Sequence, residues 1–316
     1  LLCGAVHGEM TRPRLRIVTG KGGVGKTVTA TAIAIAEARS GRKTLLAEVH
    51  GRDKVAALLG VKPVGADMRE VLERLYVVDM NPRAAIREYA LLNFRFEAVY
   101  NAVFENRLVR RFLRLVPSLG ELVMLGKIWH HERETQGGRP RFDVIVMDAP
   151  STGHALTMLR APAVVERTVP PGPLRDITRN LQELLTDPDR TRLHVVTTPE
   201  EMPINEAVQI EQTAVSVLGM ALGTTIINQR LEPLPSGTLE RLLEARRDPR
   251  LDGLLEVLYI RAQKRRAGDE LLRRLPAYML EQSVDLPRVV TPSFGREVVE
   301  DFARRLKPMV ESKAGP

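Results

Sequence analysis

A glycine-rich segment near the start of the chain constrains its fold more than any other feature. Residues 20–27 read GKGGVGKT, which fits the P-loop pattern GxxxxGK[ST]. An apolar, β-branched run at Leu15–Thr19 precedes this segment, and an Ala- and Ile-rich stretch at Thr27–Ser40 follows it. A strand, a glycine loop and a helix in this order predict a loop that binds phosphate groups at the edge of a parallel sheet.

The residue types in this loop indicate the chemistry of its ligand. Glycines let the backbone curl so that successive N–H groups face phosphate oxygens. Lys26 is expected to bind the β- and γ-phosphates of a nucleotide, and Thr27 to place its hydroxyl on a magnesium ion. The predicted cofactors are therefore ATP and Mg²⁺. The loop residues expected to contact the nucleotide are Gly20, Gly22, Gly23, Val24, Gly25, Lys26, Thr27 and Val28.

Apolar runs at wide spacing along the rest of the chain predict a doubly wound, mainly parallel α/β sheet. The predicted strands after the first are Lys43–Val49, Leu75–Asp79, Asp143–Met147, Leu193–Thr197, Thr224–Ile227 and Val289–Thr291. Residues 83–135 show a helical pattern rich in large apolar side chains, which predicts a helical subdomain inserted between two strands. We therefore expect a tail at residues 1–13 and a single domain at residues 14–316.

An acidic residue at the end of one of these strands completes the predicted metal site. The apolar run Asp143–Met147 ends at Asp148. A carboxylate at the carboxyl end of a strand beside a P-loop is the arrangement that holds Mg²⁺, usually through water. Thr27 and Asp148 are the predicted metal-binding pair, and Asp148 and Lys26 are also counted among the catalytic residues.

Two segments of the chain resemble one family of ATPases. The loop carries a lysine, Lys21, directly after its first glycine, which resembles the deviant P-loop of MinD-type, partitioning, nitrogenase-iron-protein and ArsA-type ATPases. Residues 148–154, DAPSTGH, resemble the switch segment of the ArsA-type class, although Ala149 and Pro150 stand one place earlier than in that pattern. That class includes arsenite-pump ATPases and the ATPase that targets tail-anchored proteins. The resemblance extends over about residues 14–308.

The resemblance implies an ATP-hydrolysing homodimer, in which Lys21 reaches the nucleotide of the partner subunit and neutralises charge during catalysis. It also implies that Glu206 lies near the nucleotide and that Asn228 hydrogen-bonds adenine. Pro292 and Phe294 would line the base. The cycle of ATP binding and hydrolysis would be coupled to a client protein or a transport partner.

The segment after the second predicted strand departs from the family. Better-known members have an aspartate there that orients the attacking water, whereas this chain has His50 in that place. A neutral imidazole can accept a hydrogen bond from water, so slow hydrolysis is expected to survive. Glu48 is a second candidate for contact with water or Mg²⁺, and Asp53 is a third. Glu48 and His50 are therefore included among the predicted catalytic residues, together with Lys21.

Cysteine content limits the cargo that the chain can bind. The only cysteine is Cys3, in the predicted tail, so no cysteine-based arsenite site and no zinc clasp between subunits are expected. Five aromatic side chains of the helical segment either line a groove for a hydrophobic client helix or form the core of that segment. These are Phe94, Phe96, Tyr100, Phe104 and Phe112.

Charge and hydropathy indicate a cytoplasmic protein. No run is long and apolar enough to span a bilayer, and the first residues do not resemble a secretory signal. The net charge of +8 fits a solvated basic surface, so a nucleic-acid partner is not expected. Two alternatives stay open at this point: a MinD-type or partitioning ATPase that acts on membrane or DNA, and a nucleotide-binding scaffold with little turnover.

Overall fold

The computed structural model describes residues 13–49, 53–80, 119–168, 171–238, 240–241 and 252–311. Its centre is an eight-stranded sheet with the order β10-β9-β8-β1-β7-β2-β4-β3. Every pairing in this sheet is parallel except that of β3 with β4. The strands are β1 (Leu15–Gly20), β2 (Thr44–Val49), β3 (Arg69–Leu72), β4 (Leu75–Met80), β7 (Val144–Ser151), β8 (Thr191–Thr197), β9 (Thr225–Arg230) and β10 (Ser283–Pro287).

Helices cover both faces of the sheet. They are α1 (Lys26–Arg39), α2 (Lys54–Leu59), α3 (Leu119–Arg133), α4 (Thr152–Thr168), α5 (Pro173–Thr186), α6 (Glu201–Gln212), α7 (Asp252–Leu272), α8 (Ala277–Glu281) and α9 (Arg296–Glu311). One apolar cluster joins a face of the sheet to α1, α2 and α9, and a second joins the other face to α3, α4, α5 and α6. Burial on both faces explains why the central strands read as continuous apolar runs.

The predicted fold class, a doubly wound and mainly parallel α/β sheet, is confirmed. Two strands differ from the prediction. The strand expected at Val289–Thr291 is wrong, because the last strand is Ser283–Pro287 and Val290 is 90% exposed in the loop that follows it. The antiparallel edge strand Arg69–Leu72 lacks an apolar signal because it is only partly buried.

The segment before β7 contains the final helix of the predicted helical subdomain. Helix α3 leads into a short hairpin formed by β5 (Thr135–Gln136) and β6 (Arg139–Pro140), and the chain then enters β7. The rest of that subdomain, including its five aromatic residues, lies at 83–118, outside the described residues. Residues 1–12 of the predicted tail also lie outside them. Across the described helices, none has the length and hydropathy needed to cross a bilayer.

Candidate functional site

The loop between β1 and α1 lies at the carboxyl edge of the sheet, and two of its glycines are required by close contacts. Gly25 has a φ of 93°, and a Cβ atom there would lie 2.2 Å from Nδ2 of Asn228. Gly20 has a φ of 155°, and a Cβ atom there would lie 2.1 Å from the carbonyl oxygen of Val196. A side chain at either position would therefore displace a neighbouring strand end.

Lys26 and Thr27 begin α1 with their side chains turned toward the loop and toward β7. The Lys26 Nζ donates a hydrogen bond to the carbonyl oxygen of Lys21 at 3.0 Å, which places the ammonium group within the curve of the loop. Burial lowers the pKa of Lys26, although Asp148 opposes this shift. The predicted contact of Lys26 with phosphate groups stays a prediction, and the structure places its ammonium group beside the loop backbone.

Thr27 and Asp148, predicted from separate motifs, are in direct contact. The Thr27 hydroxyl donates to Oδ2 of Asp148 at 2.6 Å. The other oxygen of Asp148, Oδ1, is buried and has no hydrogen-bond partner among the described residues. Burial raises the pKa of Asp148 to about 6. A buried carboxylate oxygen without a partner beside a hydroxyl is a donor set that fits Mg²⁺.

Lys21 lies on a carboxylate of its own chain. Its ammonium group forms an ion pair with Oε1 of Glu206 on α6. The second oxygen of Glu206 accepts a hydrogen bond from the Thr152 hydroxyl at 2.9 Å, at the start of α4. These hydrogen bonds lower the pKa of Glu206, against the opposing effect of burial. Glu206 therefore joins the loop to the segment that follows β7, and Thr152 is a site residue that the sequence prediction did not single out.

The structure describes two of the three candidates at the end of β2, which are Glu48 and Asp53. Glu48 is fully buried, and its carboxylate accepts N–H groups from Lys54 at 2.9 Å and Val55 at 3.3 Å. Asp53 accepts the N–H groups of Val64 and Gly65, both at 2.8 Å. Both carboxylates are thus engaged with backbone N–H groups.

The third candidate, His50, lies outside the described residues. Its predicted role is therefore argued from its place in the chain.

Glu48 also belongs to a row of carboxylates across the sheet. It pairs in register with Asp148 on β7 and with Asp79 on β4. Burial raises the pKa of Glu48 to about 7, with a smaller contribution from these two neighbouring acids. Asp79 could have been found from the sequence by the rule that the carboxyl ends of neighbouring parallel strands meet at one edge.

A cleft of about 500 Å³ lies on the other side of the loop. Gly25, Val28, Asn228 and Phe294 contribute to its lining, together with the loop at residues 287–291. Pro292 is exposed and does not belong to this lining. The amide of Asn228 donates to the Val24 carbonyl at 2.8 Å and accepts the N–H of Gln229 at 2.8 Å, so it supports the loop.

A second cleft of about 450 Å³ adjoins Lys21. It is formed by the phosphate loop and by the start of α6. Met202, 58% exposed, forms part of its wall. Lys21 therefore lies on the side of the loop that faces an open, partly apolar cleft.

Comparisons with known proteins support the resemblance. Residues 14–170 match the family model described as Anion-transporting ATPase. The ATPase BagA of Mycobacterium tuberculosis is 31% identical over 226 residues, which cover 69% of this chain and 65% of BagA. The ATPase GET3 of Kluyveromyces lactis is 25% identical over 250 residues, which cover 68% of this chain and 71% of GET3. GET3 of Eremothecium gossypii is 24% identical over 249 residues, with shares of 68% and 71%. The match with BagA thus spans 65% of that relative's length.

Proposed function

Because this chain belongs to the ArsA-type, or anion-transporting, ATPase family, we propose that it hydrolyses ATP to ADP and phosphate and works as a homodimer. One observation carries the proposal. The Thr27 hydroxyl and the buried Asp148 carboxylate, which come from two distant motifs, meet beside the phosphate loop in the arrangement that a Mg²⁺–nucleotide complex requires.

Different groups of the chain would bind the phosphates and the metal ion at this site. Backbone N–H groups of residues 22–27 would hold the phosphate oxygens, and the dipole of α1 would add to their attraction. Lys26 would bind the β- and γ-phosphates once a nucleotide replaces its contact with the Lys21 carbonyl. Thr27 and Asp148 would hold Mg²⁺, and this ion, when bound, neutralises negative charge on the phosphates.

The attacking water needs a group that accepts one of its protons. Glu48 and Asp53 have their carboxylates engaged by backbone N–H groups, and Glu48 thereby fixes the start of α2. We therefore assign the orientation of water to His50, which is two residues after Glu48 in the sequence. Glu48 is assigned to the positioning of this segment.

The homodimer is proposed from Lys21. In one chain this lysine is held by Glu206, and it lies beside the open cleft whose wall includes the exposed Met202. A second copy that covers this face would bring its phosphates within reach of Lys21. This ion pair is partly accessible to solvent, and surface ion pairs contribute only about 0–1 kcal/mol, so phosphate charge from a partner can displace Glu206. Coupling to a client protein through the segment at 83–118, and a cytoplasmic location, belong to the same proposal.

Phosphate release tests the activity. The full-length protein with ATP and Mg²⁺ should release phosphate slowly but above a Lys26→Ala control, because that control lacks the ammonium group that binds the phosphates. Release no greater than that of the control, with ATP still bound, would instead indicate a nucleotide-binding scaffold.

Gel filtration with a non-hydrolysable ATP analogue should show a dimer, and a monomer with and without the analogue would contradict the proposed assembly.

Mixed subunits test the role of Lys21. A Lys21→Ala chain retains an intact Mg²⁺ site, and an Asp148→Asn chain retains Lys21. Random pairing makes half of the dimers mixed, each with one complete site, so the mixture should recover about a quarter of the wild-type activity. If Lys21 acts within its own chain, the mixture will be as inactive as its two components.

A further inference from the structure

Two histidines and a glutamate lie together at the carboxyl end of α3. The side chains of His130, His131 and Glu134 offer one ligand atom each, and these atoms all lie within 4.8 Å of one another. The His131 ring packs edge to face on Phe142, at 6.4 Å between centroids, and Phe142 stands two residues before the start of β7. Asp148 lies at the opposite end of that strand, so the group is separate from the nucleotide site.

The spacing of the three residues accounts for their convergence. His130 and Glu134 are four residues apart and His131 and Glu134 are three apart, which are the separations of neighbours on one helix face. Glu134 stands directly after the last residue of α3, where the chain turns into the hairpin β5–β6. A ligand held by all three would therefore connect the helix to the hairpin.

The side chains are already oriented by their own hydrogen bonds. Nδ1 of His131 lies 3.1 Å from Oε2 of Glu134, and Arg141 donates to Oε1 of the same carboxylate at 2.5 Å. Nε2 of the buried His131 has no hydrogen-bond partner among the described residues. His130 is exposed, so its ring can turn without disturbing the core. Arg141 thus holds the Glu134 carboxylate from outside the group, and proteins commonly orient metal ligands by such hydrogen bonds.

The donor set and the surrounding charges select the kind of ion. Two imidazoles and one carboxylate are ligands for Zn²⁺ and similar divalent transition metals, whereas Ca²⁺ and Mg²⁺ prefer sites made entirely of oxygen. Arg141 forms an ion pair with Glu134, and its positive charge disfavours cations that are bound by electrostatic attraction alone. Tetrahedral zinc with nitrogen ligands at about 2.0–2.1 Å places its ligand atoms about 3.3 Å apart. The three ligand atoms lie within 4.8 Å of one another, so metal binding would draw them closer together.

We propose that His130, His131 and Glu134 form a binding site for a divalent transition metal of the zinc class, at the end of the sheet remote from the nucleotide. Three protein ligands leave one coordination position for water. Occupation of the site would fasten the carboxyl end of α3 to the start of the hairpin β5–β6.

The chain contains a built-in probe for this site. Its only tryptophan is Trp129, the residue next to His130. The full-length protein, with excess Mg²⁺ and ADP present to fill the nucleotide site, would be titrated with Co²⁺ while tryptophan fluorescence is recorded. We expect saturable quenching that added Zn²⁺ reverses, and a rise in the thermal midpoint with Zn²⁺ that does not depend on ATP hydrolysis.

Variants decide whether these three residues bind the metal. His130→Ala and Glu134→Gln should each weaken Co²⁺ binding by about 10- to 100-fold or more. His154→Ala, at an exposed histidine on α4, and Cys3→Ser, which removes the only thiol, are matched controls and should bind as the wild type does. Non-saturable quenching in the wild type, or unchanged affinity in both His130→Ala and Glu134→Gln, would overturn the proposal. Because His130 is exposed, its variant is expected to fold.

Discussion

Thr27 donates a hydrogen bond to Asp148 across 2.6 Å, which joins the first turn of α1 to the carboxyl end of β7. These residues lie 121 positions apart, yet each was predicted from a short motif at the end of a strand. Parallel strands bring their carboxyl ends to one edge of the sheet, and β1 and β7 are neighbours there. The contact leaves Oδ1 of Asp148 buried and without a hydrogen-bond partner among the described residues.

Replacement of Asp148 by asparagine should separate folding from metal binding. The amide oxygen can still accept the Thr27 hydrogen bond, but the charge that we propose to hold Mg²⁺ is lost. We expect phosphate release to fall by about 100-fold or more, with the thermal midpoint nearly unchanged. The measurement is phosphate release against Mg²⁺ concentration.

Asp143→Asn is the control for this variant, since the Asp143 side chain accepts the Lys43 N–H, at 2.7 Å, just before the other end of the strand. The Asp143 variant should keep wild-type Mg²⁺ dependence. An Asp148→Asn protein with wild-type Mg²⁺ dependence would remove the metal role of Asp148.

The buried Glu48 should make stability depend on pH. Burial raises its pKa from the ordinary value of 4.5 to about 7, so the folded chain holds a proton that the unfolded chain has released. Stability is therefore fully present below about pH 4.5 and is lost as pH rises toward 7, at no more than about 1.4 kcal/mol per pH unit. Asp148, with a pKa raised to about 6, contributes in the same direction.

Replacement of Glu48 by glutamine isolates the contribution of this residue to the pH dependence of stability. Urea unfolding midpoints would be measured at several pH values in EDTA without nucleotide, for the wild type and for Glu48→Gln. The glutamine variant does not titrate, so its stability should fall less between about pH 5 and pH 7. Parallel curves for the two proteins would show that Glu48 keeps the same protonation in both states.

The sequence indicates which residues reach the carboxyl edge of the sheet, but it does not specify the contacts that they make there. Strand ends and the P-loop pattern identify which residues reach the carboxyl edge of the sheet, because short apolar runs and glycine geometry are local properties. The engagement of Glu48 by the N–H groups of Lys54 and Val55 depends on how the chain turns after β2, which no short pattern specifies. The ion pair of Lys21 with Glu206 spans 185 positions and requires the packing of α6 against β1.

The two glycines at positions 22 and 25 should differ sharply in their tolerance of alanine. Gly25 has a φ of 93° and is crowded by the Asn228 amide, whereas a Cβ atom at Gly22 would meet nothing within 4 Å. Gly25→Ala should therefore destabilise the protein by roughly 1–3 kcal/mol and abolish ATP binding. Gly22→Ala should keep the wild-type thermal midpoint.

Thermal melting of both variants and equilibrium binding of a fluorescent ATP analogue to each would measure these effects. Equal midpoints for the two variants would mean that Asn228 moves aside at no cost. In that case Asn228 does not support the loop as its hydrogen bond to Val24 indicates.

Phe294 and Pro292 were both predicted to line the adenine base, and the geometry separates them. Phe294 is 48% exposed and lines the 500 Å³ cleft beside Gly25 and Val28, whereas Pro292 is exposed and does not line it. An aromatic contact with a base is worth about 0.5–1.5 kcal/mol, so Phe294→Ala should weaken ATP binding by about 2- to 10-fold. Pro292→Ala is the matched control and should bind ATP as the wild type does.

Binding of ATP and of inorganic triphosphate would be compared for both variants, because only the nucleotide can lose a base contact. A loss that is equal for ATP and triphosphate would place the effect on the phosphate loop, and a larger loss for Pro292→Ala would place the base outside this cleft.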